Sequence, residues 1–516
     1  MTSKSIYIVQ CGRRNWTGGM ILEDSVTLIH VHPDNIQNFI DERLHLLKEG
    51  KAIPSFSALL LTDDSYPIEL QLFSDLLNVY EVFYYGDLWQ KDSNTREFIE
   101  KYMGQKVLGK STTEIVRLLS KATFKGQYGA KLKIQDLMIA KAFSHQSYYE
   151  GNRFLHIDNF YSPYYVSIAS FRYNIYHEQD KLLSIWLEHS CSTGISLQLS
   201  IKFLPRGSRD EFNKEWLISG EDMTFPTDLS FDMSGYAVVS ILAKGSGDIA
   251  IGSLHYRLSR GNFGAFLLGG ERLCDHNGRE IMVYFDPGDW KPPLNVYFSG
   301  YRTAEGFEGY FMMKAKGAPF LLIADPGLEG GAFYLGSDEI EEKIKRKIKE
   351  KLDFLGFQSN QLILSGLSMG TFGALYYGLD LSPYAIIVGK PLVNLGNIAK
   401  GTKWGRPGEF STSLDLMLLL FGDLGMETLE KANRIFWDKL EKKRKSQTIL
   451  AIAYMKDDDY DGTAFHDLLE RGSDYYSRII GKGWSGRHND NSTAIGRWFT
   501  RQYDEFLKND FQRGDK

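Results

Sequence analysis

The sequence predicts an α/β protein with a C-terminal α/β-hydrolase domain, a β-sandwich (carbohydrate-binding-like) domain and a small N-terminal α/β domain. Three observations support this fold class. A Gly-x-Ser-x-Gly turn surrounds Ser368, a stretch of β-rich segments without helices lies in the middle of the chain, and strand and helix patterns alternate on both sides of it. The 516 residues exceed what one hydrophobic core usually covers, so several domains are expected.

Residues 1–150 are predicted to form the small α/β domain. Short apolar runs alternate there with helix-forming segments, a spacing typical of an open sheet with crossover helices. The predicted strands are Ser5–Gln10, Ser25–Val31, Ser57–Thr62 and Glu81–Tyr85, and the predicted helices are Asn35–Lys48, Pro67–Leu77 and Asn94–Tyr102.

Residues 160–287 are predicted to form an antiparallel β-sandwich or jelly roll. Segments rich in β-branched and aromatic residues follow one another with only glycine or polar breaks between them. Asn277-Gly278 is a strong signal for a two-residue hairpin turn. The predicted strands are Tyr164–Tyr173, Leu182–Glu188, Ser196–Leu204, Tyr236–Ala243, Ile249–Leu258 and Arg279–Phe285.

Three tryptophans of this part of the chain, Trp186, Trp216 and Trp290, allow two interpretations. Their rings could stack on sugars, so that the region would present a glycan to the catalytic domain. The sequence favours the other interpretation, in which they pack in a core or an interface.

Residues 288–516 are predicted to form the hydrolase domain. Ser337 can cap a helix that ends at Gly356, with an apolar stripe from Ile340 to Leu355 and lysines on the other faces. Leu414–Lys445 reads as a helical cap insertion. The predicted strands are Leu294–Gly300, Gly309–Met313, Pro319–Ala324, Tyr384–Val388 and Gln447–Met455, and two last helices are predicted near His466–Gly472 and Thr493–Lys508.

Ser368 is the predicted nucleophile. It follows a short apolar run within Gly366-Leu-Ser368-Met-Gly370, and a helix-forming segment follows at once. This context is that of a nucleophile elbow, a sharp strand-to-helix turn that exposes the serine hydroxyl. The flanking glycines are needed because a Cβ atom there would collide with the neighbouring strand or helix.

A serine hydroxyl needs a base and an acid that orients the base. In this fold the order along the chain is serine, acid, histidine. His488 lies in a glycine-rich loop before the last helix, where the base is expected, whereas His466 falls in the helix after the acid strand. The acid should follow Gln447–Met455, where we favour Asp458. Its rivals in the same loop are Asp457, Asp459 and Asp461.

The oxyanion formed by attack of the serine needs backbone N–H donors. Met369, directly after the serine, is the first predicted donor. The second is predicted in the loop after Pro319–Ala324, which contains Gly330 and Gly331.

Composition excludes several other functions. The net charge of −5 and pI near 6.2 argue against a nucleic-acid-binding protein. The three cysteines lie far apart, so neither a disulfide framework nor a zinc site is implied, and no cofactor or metal is expected. The N-terminus lacks a signal-peptide pattern, and the apolar run Leu416–Phe421 is too short for a membrane span. We therefore expect a cytoplasmic protein.

Three segments together resemble one known family. They are Ser-Gly-Leu-Ser368-Met-Gly, Asp457-Asp-Asp-Tyr-Asp-Gly and Gly486-Arg-His488-Asn-Asp-Asn. With the domain order, they are similar to the second of the accessory secretion proteins of the accessory Sec system. This system is dedicated to serine-rich-repeat adhesins of Gram-positive bacteria. The resemblance covers essentially the full length.

The resemblance implies a cytoplasmic protein, at most peripheral at the inner face of the cell membrane. It would O-acetylate N-acetylglucosamine on the glycosylated adhesin through an acyl-enzyme. It would also support export with the other accessory secretion proteins and a dedicated SecA-type motor ATPase. Ser368, Asp458 and His488 match the family's triad positions.

Two alternatives stay open from the sequence. A carbohydrate esterase or deacetylase of the same fold would use the same triad. A non-catalytic, hydrolase-like scaffold in the adhesin export complex would not need it.

Overall fold

The structure is a computed structural model that describes residues 6–48, 55–62, 67–88, 93–208, 212, 214–405 and 409–514. It contains three β-sheets, which follow one another along the chain and are accompanied by helices. The prediction of a mixed α/β protein is therefore confirmed.

The first sheet has five parallel strands in the order β2-β1-β3-β4-β5. Its strands are β1 (Ile6–Cys11), β2 (Val26–Val31), β3 (Ala58–Leu61), β4 (Val82–Tyr84) and β5 (Gln105–Lys106). Its helices are α1 (Ile36–Lys48), α2 (Ser93–Lys101) and α3 (Thr112–Ala122), with a 3₁₀ helix at Pro67–Leu76. β3 is buried along its length, as expected of a strand inside a parallel sheet.

The second sheet has ten antiparallel strands. They are β6 (Gly129–Leu132), β7 (Leu137–Ile139), β8 (Ser147–Glu150), β9 (Phe154–Phe171), β10 (Ile175–His177), β11 (Leu182–Cys191), β12 (Ile195–Pro205), β13 (Lys214–Ser219), β14 (Thr227–Ser230) and β15 (Gly235–Ser259). The predicted strands Tyr236–Ala243 and Ile249–Leu258 are one strand, β15. Gly245 and Gly247 have positive φ angles of 112° and 143° within it, so the glycine break is a bend and not a turn. The arrangement as a sandwich stays a prediction.

The third sheet has eight strands in the order β16-β17-β19-β18-β20-β21-β22-β23. They are β16 (Glu271–Cys274), β17 (Glu280–Asp286), β18 (Leu294–Phe298), β19 (Phe320–Ala324), β20 (Leu362–Leu367), β21 (Ala385–Gly389), β22 (Ile449–Met455) and β23 (Arg478–Trp484). The strands from β19 to β23 run parallel, and β16 and β17 are antiparallel. The parallel sheet and the elbow after β20 agree with the predicted hydrolase architecture.

Eight helices surround this sheet in the described residues. They are α4 (Tyr310–Ala315), α5 (Asp338–Leu355), α6 (Met369–Leu381), α7 (Leu395–Lys400), α8 (Thr412–Phe421), α9 (Met426–Glu441), α10 (Ala464–Gly472) and α11 (Ser492–Asn509). Ser337 caps α5 by accepting a hydrogen bond from the Ile340 N–H, and Gly356 ends it in the left-handed conformation. The buried stripe from Ile340 to Leu352 confirms the predicted apolar face.

Three predictions about elements were wrong. Gly309–Met313 is not a strand: Gly309 turns the chain with a φ of 79°, and α4 follows. Arg279–Phe285 is a strand, but it pairs with β19 in the third sheet. β23 was not predicted at all. Three domains stay a proposal, and the pairing of β16 and β17 favours a last boundary before Glu271 and not at residue 288.

The second and third sheets meet through buried charges. Arg257 of β15 donates hydrogen bonds to the carboxylates of Glu280 and Glu305. Burial alone would raise the pKa of Glu280, but the Arg257 guanidinium holds it well below its usual range. His255 adds a 2.5 Å contact to Glu305. These pairs satisfy charges that would otherwise be costly to bury.

Contacts also run from the second sheet to loops of the third. Lys131 donates to backbone carbonyls of the β19–α5 loop, and Lys133 pairs there with Glu329. At the β8–β9 turn, Asn152 donates its backbone N–H (2.8 Å) and its side-chain amide (3.2 Å) to Asp415 of α8. The second sheet therefore contacts both this loop and the predicted cap.

The three tryptophans pack against protein groups. Trp186 is buried and lies 4.9 Å from the Arg272 guanidinium. Trp216 meets Phe231 edge-on at 4.8 Å, and Trp290 lies 5.3 Å from Phe354. These contacts agree with the packing interpretation. Every helix among the described residues is too short or too polar to cross a lipid bilayer.

Candidate active site

Ser368 lies at the sharp turn between β20 and α6. Its φ and ψ angles of 51° and −121° are unusual for a residue with a side chain and indicate a strained backbone. A Cβ atom on Gly366 would come within 2.3 Å of the Gly370 backbone, and one on Gly370 within 2.1 Å of the Phe298 carbonyl oxygen. Both glycines are therefore required for the close approach at the elbow.

His488 lies beside the serine. Its Nε2 atom is 2.8 Å from the Ser368 Oγ atom, which is hydrogen-bonding distance. The loop between β23 and α11 carries the imidazole, which is 2% exposed. The structure thus brings the predicted base to the predicted nucleophile, while His466 lies in α10 as expected.

Asp458 is the aspartate that contacts the imidazole. Its Oδ2 and Oδ1 atoms lie 2.8 Å and 3.1 Å from the His488 Nδ1 atom. The loop after β22 positions it, and its own Oδ1 accepts the backbone N–H groups of Tyr460 and Asp461. Ser368, His488 and Asp458 therefore form one continuous chain of hydrogen bonds.

The three rival aspartates have other partners. Asp457 accepts the backbone N–H of Gly486 at 3.0 Å. Asp459 accepts the backbone N–H of His488 at 3.0 Å and pairs with Arg487. These contacts fix the loop that carries the imidazole but leave its Nδ1 atom to Asp458.

Asp461 is buried behind the loop. Its carboxylate accepts the backbone N–H groups of Val393 and Asn394 and the side-chain amide of Asn394, at 2.7 to 2.9 Å. Burial raises the pKa of Asp461 to about 6, although these hydrogen bonds oppose the shift. This residue anchors the β21–α7 segment.

The two regions predicted to bind the oxyanion differ in whether their backbone N–H groups are free to donate a hydrogen bond. Met369 is the first residue of α6, so its N–H group belongs to the first helical turn, which has no carbonyl partner one turn earlier. The Gly331 N–H instead donates to the Gly327 carbonyl at 2.8 Å, so it is already used. A Cβ atom on Gly330 would meet the Tyr301 ring at 2.3 Å. The Gly331 N–H is therefore occupied, whereas the Gly330 N–H has no acceptor among the described residues and stays a predicted donor.

A second loop lies nearer to the elbow. β18 is hydrogen-bonded to β20, whereas β19 is one strand further away. A Cβ atom on Gly300, just after β18, would be 3.2 Å from the carbonyl oxygen of Leu367, the residue before Ser368. Within the described residues the Tyr301 N–H, directly after Gly300, has no acceptor, and this loop was not considered from the sequence.

Aromatic rings cover the imidazole. The Tyr460 ring lies parallel to the His488 ring, with centroids 4.3 Å apart and an interplanar angle of 8°. Phe410, just before α8, is stacked on Tyr460 at 5.3 Å and meets Tyr301 edge-on at 5.2 Å. The sequence gives no periodic signal for these contacts, because the rings come from three separate loops.

The part of the chain that the structure describes has no group of three or more His, Cys, Asp or Glu side chains placed to hold a metal ion. The arrangement at Ser368 is suited to covalent acyl transfer: a nucleophile, a base in contact with it, and an acid in contact with the base.

Comparisons with known proteins give one consistent family. Residues 6–513 match the family described as "Accessory Sec system GspB-transporter". An accessory Sec system protein of Staphylococcus aureus is 41% identical over 447 residues, which is 86% of this chain and 85% of that protein. The protein of the same name from Streptococcus gordonii is 37% identical over 506 residues, 98% of each.

One solved structure has the same fold throughout. A chain of the Glycosylation Associate Protein (Gap123) complex from Streptococcus agalactiae superposes with a TM-score of 0.94 at 44% identity, covering 100% of both chains. The resemblance noted from the sequence motifs is confirmed by these matches. The chain belongs to the Accessory Sec system GspB-transporter family.

Proposed function

We propose that this protein O-acetylates N-acetylglucosamine on serine-rich-repeat glycoprotein adhesins through an acyl-enzyme on Ser368. The observation that carries the proposal is the hydrogen-bonded chain from Ser368 through His488 to Asp458 at a strained elbow. Membership of the Accessory Sec system GspB-transporter family supports the adhesin as the substrate.

The reaction would take place in two steps. His488 Nε2 accepts the Ser368 hydroxyl proton as Oγ attacks the carbonyl carbon of an acetyl donor. Collapse of the tetrahedral intermediate breaks the bond to the donor's leaving group, which takes the proton from His488. A sugar hydroxyl then attacks the acetyl-serine, with its proton passing to His488. Collapse of this second tetrahedral intermediate breaks the bond between Ser368 Oγ and the acetyl carbon, His488 returns the proton to Oγ, and the acetyl ester of the sugar leaves.

Two backbone donors would stabilise the oxyanion in each step. Met369 N–H is one, as the elbow geometry requires. We assign the second to Tyr301 N–H, because its loop follows the strand next to β20 and lies against Leu367. Loss of one such donor typically costs about 3–4 kcal/mol of transition-state stabilisation.

The test compares the intact protein with its Ser368→Ala variant. Purified wild-type protein incubated with a chromogenic acetyl ester should gain one acetyl group, located at Ser368 by peptide mass spectrometry. The variant should gain none. In cells, adhesin glycans from the Ser368→Ala strain should lack O-acetyl groups that the wild-type strain adds.

An esterase or deacetylase is the second candidate, because water can replace the sugar hydroxyl in the second step. It predicts the opposite change in cells: glycans of the Ser368→Ala strain would carry more acetyl groups. A scaffold without catalysis predicts no change in the glycans and no acetyl-serine. Acetyl transfer would be refuted by this outcome, and also by glycans that gain acetyl groups in the Ser368→Ala strain.

We propose further that the protein supports adhesin export. Relatives that carry the family's name are accessory Sec system proteins, and the similar chain from Streptococcus agalactiae was solved within a complex. We therefore expect assembly with other accessory secretion proteins and function with a SecA-type motor ATPase, in the cytoplasm or peripherally at the membrane. If Ser368→Ala abolishes acetylation but leaves export intact, the two roles are separable.

A further inference from the structure

We propose that Tyr460 is a positioning residue that holds the His488 imidazole in its orientation toward Ser368, and that Phe410, just before α8, holds Tyr460 in turn. This inference rests on the proposed acyl transfer at Ser368. The three rings form one stack that runs from the histidine loop, through the acid loop, to the segment before α8.

The stack has close geometry. Tyr460 lies 4.3 Å from His488 with nearly parallel planes, at 8°, and 5.3 Å from Phe410 at 20°. The Tyr460 ring is thus stacked on two rings of the protein itself.

Other contacts hold Phe410 and Tyr460 in the stack. Phe410 meets Tyr301 edge-on at 5.2 Å and Phe333 edge-on at 5.9 Å. In the middle of the stack, the Asn489 side-chain amide donates to the Tyr460 hydroxyl at 3.3 Å. The imidazole is therefore fixed by its face as well as by its two nitrogen atoms.

The stack should influence the charge of the imidazole as well as its position. A tyrosine face within about 6 Å attracts a cation, so it favours the imidazolium that forms when His488 accepts the serine proton. Phe410 precedes α8, so this support of the imidazole also depends on the segment that leads into the predicted cap.

Several charged groups lie at His488 or act on its neighbours, and they are unchanged in every variant below. Asp458 contacts Nδ1, and Asp459 accepts the His488 backbone N–H and pairs with Arg487. From the end of β21, the buried Lys390 donates to Ser492 and acts electrostatically on Asp458. Glu409, next to Phe410, acts on Arg487 from the cap side.

The experiment uses the full chain with Tyr460→Leu, Tyr460→Phe and Phe410→Leu. Tyr454→Leu is the matched control, because Tyr454 stacks on Phe465 at 3.8 Å, away from the imidazole. Two readouts are needed: the pH profile of kcat/KM with a chromogenic acetyl ester, and NMR titration of the isotope-labelled His488 ring in a Ser368→Ala background.

We expect Tyr460→Leu to shift the NMR titration of the ring and the acidic limb of the kcat/KM profile to lower pH, and to lower kcat by roughly tenfold. Tyr460→Phe should restore both, Phe410→Leu should give a smaller change in the same direction, and Tyr454→Leu should change neither. An unshifted His488 titration in Tyr460→Leu, or a Tyr460→Phe variant as impaired as Tyr460→Leu, would overturn the proposal. Because the NMR readout needs no turnover, it stays decisive if the acyl-transfer reaction itself is refuted.

Discussion

Replacing Asp458 by Asn tests the assignment of the acid among four neighbouring aspartates. In the structure only this carboxylate reaches His488 Nδ1 within the described residues, with its two oxygens at 2.8 and 3.1 Å. An asparagine has the same shape but offers an N–H₂ group on one side. If that group faces Nδ1, the imidazole must carry its proton on Nε2, which then points at the Ser368 hydroxyl.

The wrong tautomer removes the base while leaving the geometry almost intact. In a Ser-His-Asp hydrolase the same change lowers kcat about 10⁴-fold, which corresponds to about 5 kcal/mol of activation free energy. We expect a loss of this order for Asp458→Asn, measured as the rate of acetyl-serine formation with a chromogenic acetyl ester. The melting temperature should change little, because the other hydrogen bonds of the loop can persist.

Asp459→Asn and Asp457→Asn are the matched controls. In Asp459→Asn, the side-chain oxygen can still accept the His488 backbone N–H. The variant loses only the ion pair with Arg487, whose side chain is 61% exposed. Such surface pairs contribute about 1 kcal/mol or less, so the rate should stay within roughly threefold. The reasoning would be refuted if either control lost as much activity as Asp458→Asn, or if Asp458→Asn retained wild-type activity.

Three further changes probe the supporting structure. The raised pKa of Asp461, about 6 in the folded protein, means that the ionised form opposes folding. The protonated Asp461 carboxyl group therefore stabilises the fold below pH 4, and this contribution, on the order of 3 kcal/mol, is lost as the pH rises through 6. The melting temperature of Asp461→Asn should lack this pH dependence. Gly370→Ala should yield little folded protein because its Cβ would meet a carbonyl oxygen at 2.1 Å, whereas Gly496→Ala on α11, with no atom within 4 Å, should not lower the melting temperature. Asp415→Ala should lower the free energy of unfolding by about 1 kcal/mol, measured by denaturant titration, because it removes the acceptor of two hydrogen bonds from Asn152, which is itself exposed; an unchanged value would show that this contact contributes nothing.

The contact between Ser368 and His488 could be predicted because the sequence marks the position of each residue. Ser368 stands between two glycines whose spacing is set by the turn itself, and His488 follows from the order of elements along the chain. The acid could be placed only in a loop. Four aspartates within five residues have the same chemistry, and the choice depends on which carboxylate faces Nδ1, a fact of three-dimensional geometry.

The errors in the fold have a similar origin. The aromatic residues after Gly309 have high β propensity, but a left-handed glycine starts a short helix there. β23 was missed because its glycines read as a loop. In the structure, a Cβ atom on Gly481 or Gly483 would come within 2.6 Å of an aromatic ring of Phe465 or Tyr454, so the glycines allow close packing of a strand.

The contacts of the second sheet have a consequence for how the chemistry can be isolated. A fragment that starts at residue 288 would lose two strands of the third sheet, and it would separate Glu329 from Lys133 and Asp415 from Asn152. The excised hydrolase would thus expose a new sheet edge, and two of its carboxylates would lose partners that the rest of the chain supplies. An inactive fragment of this kind would therefore be no evidence against catalysis by the full-length chain.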